Sequence, residues 1–181
     1  MNRITIFQRL IAIALGIAIL APLSVSAEMR RLPQTEGTEI SAESIVAAMN
    51  AERRRRGLGE LRLDARLNAA AADRTRDMFA RGYFNHIAPD GTLPFVWVKN
   101  HHYRYATIGE NLADGYRNAR AVVDGWMRSP GHRANILGPS FEDVGLSIVR
   151  GSPTRHTNGY TVVALYAREA AGRGLVIVAS R

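Results

Sequence analysis

The spacing of apolar residues changes part-way along this chain, and that change limits the architectures open to it. Ahead of Pro139 apolar side chains recur at helical intervals. The clearest case is Ala119, Val122, Val123, Trp126 and Met127, at i, i+3, i+4, i+7 and i+8, one face of an amphipathic helix opened by Asn118. Beyond Pro139 the runs 144–149 and 160–166 are β-branched and aromatic, and Gly151, Pro153, Asn158 and Gly159 lie between them. That is the pattern of a hairpin with a long loop. Helices first and strands later, with little βαβ alternation, argue for α+β layering.

Other boundaries follow from caps and stops. Ser41 can cap a helix in which Ile45, Ala48 and Met49 follow the helical period, with Glu43 at its positive end. Arg53, Arg54, Arg55, Arg56 and Gly57 close it: basic residues near the negative end, then a glycine stop. The arginine run reads first as that helix terminus; the alternative is a docking patch for anionic polymer. Asp64 caps a second helix running to about Arg81, with Leu67, Ala70, Ala71 and Met78 on one side and Gly82 as its end. Pro89-Asp90-Gly91 is a turn, and a short helix started by Pro94 spans 92–100. The tail at 175–178 is apolar and reads either as an extra edge strand or as part of an unstructured end.

The chain has 181 residues, the length of one domain, and is expected to be monomeric. Residues 1–27 read as a signal peptide: Arg3 and Arg9, an apolar run at 10–20, Pro22, and Val25-Ser26-Ala27 before Glu28. The competing reading is an uncleaved anchor, since 10–27 carries no charge; cleavage leaves no stable membrane span. Residues 28–40 read as a flexible lead-in, 41–168 as the folded domain, and 169–181 as the tail. Export to the periplasm or beyond makes a nucleic-acid partner a poor explanation of the +8 net charge. Lys99 is the single lysine among 24 basic residues. With no cysteine, an exported domain must rely on its core for stability, and a thiol nucleophile, a thiolate metal site and an acylated cysteine are excluded.

A few polar residues stand in contexts that call for an explanation. His86 follows a helix end in Tyr83-Phe84-Asn85-His86, Glu110 lies in Gly109-Glu110-Asn111, and His132 in Ser129-Pro130-Gly131-His132-Arg133. Their separations match no local metal-ligand motif, so spacing alone does not unite them. Asn111 is read as fixing a loop that holds Glu110, Asn135 as doing the same for the His132 turn, and Ser129 as capping the helix that Pro130 starts. His101, His102 and His156 read as surface residues. Tyr83, Phe84, Tyr103 and Tyr105 either line a cleft or pack.

The same segments carry a family resemblance. Phe84-Asn85-His86 followed by Pro89-Asp90-Gly91, then Gly109-Glu110-Asn111, then the run from Trp126 to Leu137, resemble the hallmark segments of the CAP superfamily in its short bacterial branch. This superfamily includes the cysteine-rich secretory, venom-allergen and plant pathogenesis-related proteins. Met49-Asn50-Ala51-Glu52-Arg53 and the stretch 67–78 are similar to its first two helices. The resemblance spans about 41–168 and implies a three-layer α-β-α sandwich with a small, mainly antiparallel sheet. It also implies a cleft holding two histidines and acidic partners, here His86, Glu110 and His132. Many relatives have a second glutamate where this chain has Ser129, so the implied tetrad is a triad. The missing cysteines set it apart from the disulfide-bonded members.

Two imidazoles beside one carboxylate can do three things. They can hold zinc or another divalent cation, with neutral imidazole required. They can act as acid and base. Or they can form a hydrogen-bonded brace between helices and sheet. The resulting readings are a module binding a metal, small-molecule, lipid or envelope ligand; a metal-assisted hydrolase of envelope peptide or ester bonds; and a structural or interaction protein. No HExxH helix and no nucleophile elbow supports the second.

Overall fold

A computed structural model describes residues 40–171. The expected signal peptide and most of the lead-in and tail lie outside the described residues. Helix α1 (Ala42–Arg54) starts at Ser41, whose hydroxyl accepts from the Ser44 N–H while the Ser44 hydroxyl accepts from the Ser41 N–H. The chain then returns through Asn50, which both donates to the Leu61 carbonyl and accepts from the Leu61 N–H. That bond pair sets up β1 (Arg62–Leu63), a two-residue strand not expected from the sequence. Helix α2 (Ala65–Arg81) follows, with the Asp64 carboxylate accepting from the N–H groups of Arg66 and Leu67. It ends at Gly82, whose φ of 66° suits glycine.

Helix α3 (Phe95–Asn100) begins just after Pro94, and strand β2 (Tyr105–Tyr116) comes next. Helices α4 (Ala119–Arg128) and α5 (Pro130–Ile136) meet at Ser129, and β3 (Asp143–Arg150) and β4 (Tyr160–Glu169) form the expected hairpin. The sheet order is β1-β3-β4-β2, with β4 antiparallel to both neighbours and β1 parallel to β3.

Strand β4 shows why the sandwich has three layers. Val162, Ala164 and Tyr166 face a core with Ile45, Met49, Val122 and Trp126 from α1 and α4. Val163, Leu165 and Ala167 face the opposite core, with Leu67, Ala71 and Met78 from α2 and Val98 from α3. A central strand buried on both faces reads as a continuous apolar run, as this one does. At Gly145 on β3, an added Cβ would lie 2.1 Å from the Leu67 carbonyl carbon, so α2 rests directly on the strand there.

One expectation needs correction. The stretch around Glu110 is the interior of a twelve-residue strand rather than a loop. Its glycines, Asn111 and Asp114 disguise it, because such residues are depleted in strands and here serve the site. The arginine run closes α1 as expected, and within it Arg53 is buried. Its guanidinium donates to the carbonyls of Gly59, Ile136, Gly138 and Phe141, tying α1 to the end of α5 and the segment leading to β3. The other arginines of that run pair with acids near them: Arg54 with Glu60, and Arg55 and Arg56 with Glu52.

Candidate functional site: a histidine cleft braced by a buried arginine

The Gly109-Glu110-Asn111 segment works because strand side chains alternate between faces. Glu110 points toward the α2 layer and Asn111 toward α5. Gly109 has no side chain because Asn135 Oδ1 would lie 2.7 Å from its Cβ. Asn135 can therefore lie against the strand. Its Nδ2 donates to the Glu110 carbonyl at 3.1 Å and to Asn111 Oδ1 at 2.8 Å. Asn111, fully buried, donates to the His132 carbonyl at 3.0 Å and to the Tyr166 hydroxyl at 3.2 Å. Both asparagines thus dock α5, and His132 with it, onto β2. The expected loop-fixing roles are replaced by helix-to-strand docking.

Glu110 is held by two partners. Its side chain is 4% exposed; Oε1 accepts from His86 Nδ1 at 2.8 Å and Oε2 from Arg74 Nε at 3.2 Å. Arg74 is fully buried on α2. It also donates to the Tyr83 hydroxyl and to the Asn85 carbonyl, and its guanidinium lies 4.8 Å from the Trp97 ring centroid. The Asn85 bond fixes the segment that carries His86. The Tyr83 hydroxyl donates onward to Asp77, and burial pushes the Tyr83 phenol up to about 12.

The two histidines approach each other but are not equivalent. Their ring centroids are 6.4 Å apart at an interplanar angle of 55°. The bond to Glu110 raises His86 above the ordinary imidazole value, against burial and the repulsion of Arg74. Burial, reinforced by His86, lowers His132. A proton entering the pair therefore settles on His86 and leaves His132 neutral. His86 remains half exposed, at the edge of a cleft of about 310 Å³ whose other walls include Ile87, Leu93, Phe95, Ile108 and Glu110.

The donor set can be compared with what a cation needs. Among the described residues no three His, Cys, Asp or Glu side chains converge as metal ligands. Both Glu110 oxygens are already engaged, which leaves His86 Nε2 and the His132 ring. Two imidazoles on one tetrahedral ion, with bonds of about 2 Å, put their centroids about 5 Å apart, so a modest rotation of the exposed His86 would be needed. Glu110 fits the role of a carboxylate that orients a ligating histidine through its other nitrogen.

Ser129 occupies the junction of α4 and α5 as expected, but its hydroxyl makes no capping bond; Pro130 starts the helix without one. His101 is bonded to Asp73 at 2.9 Å, and His102 and His156 are exposed. Tyr83 and Tyr103 are buried and bonded, so they pack. Arg74 is the functional residue that sequence reading missed. Its signal was phase: with Leu67, Ala70, Ala71 and Met78 it falls on the inward stripe of α2, where a cation requires a buried partner.

Residues 46–166 match the CAP family, described as the cysteine-rich secretory protein family. The chain belongs to the CAP family. Among curated relatives, YkwD of Bacillus subtilis (strain 168) is 36% identical over 126 residues, 68% of this chain and 49% of that protein. YlbC of the same organism, described as a membrane protein, is 28% identical over 132 residues, 73% of this chain and 37% of its own length. This chain thus spans half or less of the curated relatives it matches. Among solved structures, an extracellular SCP-domain protein of Bacillus anthracis superposes with a TM-score of 0.60 at 24% identity, covering 70% of this chain and 40% of that one. An outer surface protein of Borrelia burgdorferi gives 0.62 at 19% identity, covering 74% of this chain and 99% of that one. These likenesses support the α-β-α sandwich. No helix among the described residues is long and apolar enough to cross a membrane.

Proposed function

We propose that this CAP domain is exported and acts as a binding module, holding a small ligand in the cleft beside His86, with His132 next to it. The observation that carries the reading is the full engagement of Glu110 by Arg74 and His86. A carboxylate fixed on both oxygens is a poor general base or nucleophile, yet it presents His86 in a defined tautomer with Nε2 facing outward. His132, its ring centroid 6.4 Å from that of His86, would supply a second nitrogen of lowered proton affinity, and the apolar wall of Leu93, Phe95 and Ile108 suits a ligand with a small polar head. Export rests on the apolar run at 10–20 with the small residues at 25–27. The extracellular and surface neighbours agree with it.

A borderline-soft divalent cation such as zinc is the simplest ligand for two imidazoles, with its remaining positions left to solvent or to a second molecule. Calorimetry with zinc at about pH 7.5 should give one weak site that His86→Ala and His132→Ala each abolish. Because His86 binds protons more readily than an ordinary imidazole, affinity should fall as pH is lowered and begin falling above about pH 6.5. Equal zinc binding by the wild type and both variants would refute the site.

Hydrolysis of envelope ester or peptide bonds is a second reading. It draws on the opposite proton affinities of the two rings, one suited to give a proton and the other to take one. Turnover of such substrates that survives His132→Ala would dismiss it.

A further inference from the structure

A second hollow, about 500 Å³, lies at the other end of α3 from the cleft and is lined by Lys99, His102, Tyr103, Arg104 and Tyr105. Two of these five residues, Lys99 and Arg104, carry positive charge at neutral pH. The geometry points to a binding site here for a phosphate group, separate from the histidine cleft.

The argument starts from charge balance. Acids near the hollow are already engaged: Glu169, the cross-strand partner of Tyr105, is paired with Arg66 at 2.7 Å. Asp143 accepts from the Tyr103 hydroxyl at 2.8 Å and pairs with Arg62, and Asp73 is bonded to His101. By contrast, Lys99 and Arg104 make no ion pair among the described residues; the Phe95 ring lies 6.0 Å from the Lys99 ammonium. Placing two cations around one concavity without an ion-pair partner raises their mutual repulsion. A dianion relieves it. Phosphate matches in charge, and in geometry it suits an arginine fork beside a lysine point charge.

Local backbone makes the concavity. His102 is the one described non-glycine residue at positive φ, 56°, and the turn it makes carries the chain from α3 into β2, so that both elements border the hollow. Tyr103 is buried beneath Arg66, whose guanidinium lies 4.6 Å from its ring centroid, so this part of the lining is anchored in the fold. The phosphate could be free or carried on a polymer; the recognition chemistry is the same.

Lys99 offers a direct readout, because it is the only lysine in the chain. Reductive methylation with isotope-labelled formaldehyde keeps its charge and gives one side-chain signal besides the terminal amine. Inorganic phosphate, titrated at constant ionic strength against chloride, should shift that signal saturably. Arg104→Gln should weaken the response at least about fivefold, while Arg54→Gln, on the α1 end, should leave it unchanged. Inorganic polyphosphate should bind at least about tenfold tighter if the natural source is polymeric, and no tighter per phosphate if it is free anion. A shift that does not saturate, or one equally reduced by Arg54→Gln, would overturn the site. His86 ring signals, followed in the same samples, report the cleft independently, so failure here leaves the histidine reading standing, and the reverse.

Discussion

Arg74→Met tests the central electrostatic claim. The substitution keeps a long side chain on the inward face of α2 and removes the cation. Glu110 would stay 4% exposed, with His86 as its only charged partner. The Tyr83 hydroxyl and the Asn85 carbonyl would each lose a donor. Breaking a buried ion pair from one side costs about 3–5 kcal/mol, because the remaining charge is left uncompensated. For a domain of this size, at roughly 3–5 °C per kcal/mol, calorimetric melting should fall by about 10–20 °C. Adding Glu110→Gln removes the stranded charge, so the double variant should recover about 1–3 kcal/mol relative to Arg74→Met alone. His86 gives a second readout. Arg74 opposes its protonation, so in Arg74→Met its titration midpoint should move up. A melting drop of less than about 3 °C, strict additivity in the cycle, or a His86 midpoint that falls would refute the assignment of Arg74 as the brace of the site.

Four further outcomes follow from the same geometry. In the wild type, NMR titration should place His86 above pH 6.5 and His132 below it, and Glu110→Gln should lower the His86 midpoint. For stability the signs oppose: the His86 contribution is complete below the unfolded value near 6.5 and is lost as pH rises through its folded value. The His132 contribution is complete above 6.5 and is lost as pH falls through its lowered folded value. Arg53→Met strands four carbonyls at once and should cost about 2–4 kcal/mol by urea denaturation, without moving the His86 midpoint. Gly145→Ala forces α2 off β3 and should destabilise by at least about 1–3 kcal/mol, whereas Gly59→Ala, with open space around it, should be nearly neutral.

How much of this was legible in the sequence depended on whether local chemistry and tertiary demand agreed. They agreed at Ser41, Asp64, Gly82 and Asn118, where a cap or stop residue did what such residues do on their own, and helix ends fell where expected. They agreed again in β4, whose unbroken apolar run reflects two buried faces. They parted in β2. Its register against β4 is set by long-range pairing, while three of its central residues are committed to other elements: Gly109 yields to Asn135, Glu110 turns to Arg74 and His86, and Asn111 docks α5. Residues chosen for those contacts carry little strand signal, so the strand that builds the site was the one hidden. β1 was too short to show any pattern.

Arg53 and Arg74 carry the same lesson in a different form. Each falls in phase with its helix's apolar stripe, and each is spent on groups far along the chain, carbonyls in one case and a carboxylate in the other. Composition counts both as surface charge; periodicity marks them as inward. The difference between them matters for function. Arg53 satisfies backbone carbonyls and so fixes shape alone. Arg74 holds the Glu110 carboxylate that raises His86, and its own charge opposes that rise; burial, and after it His86, lowers His132. A side chain on α2 that solvent does not reach thus takes part in setting the proton affinity of His86. On the proposed reading, a ligand beside His86 would meet an imidazole raised by Glu110 and opposed by that buried cation. Any reading of the site must keep Arg74 in the account.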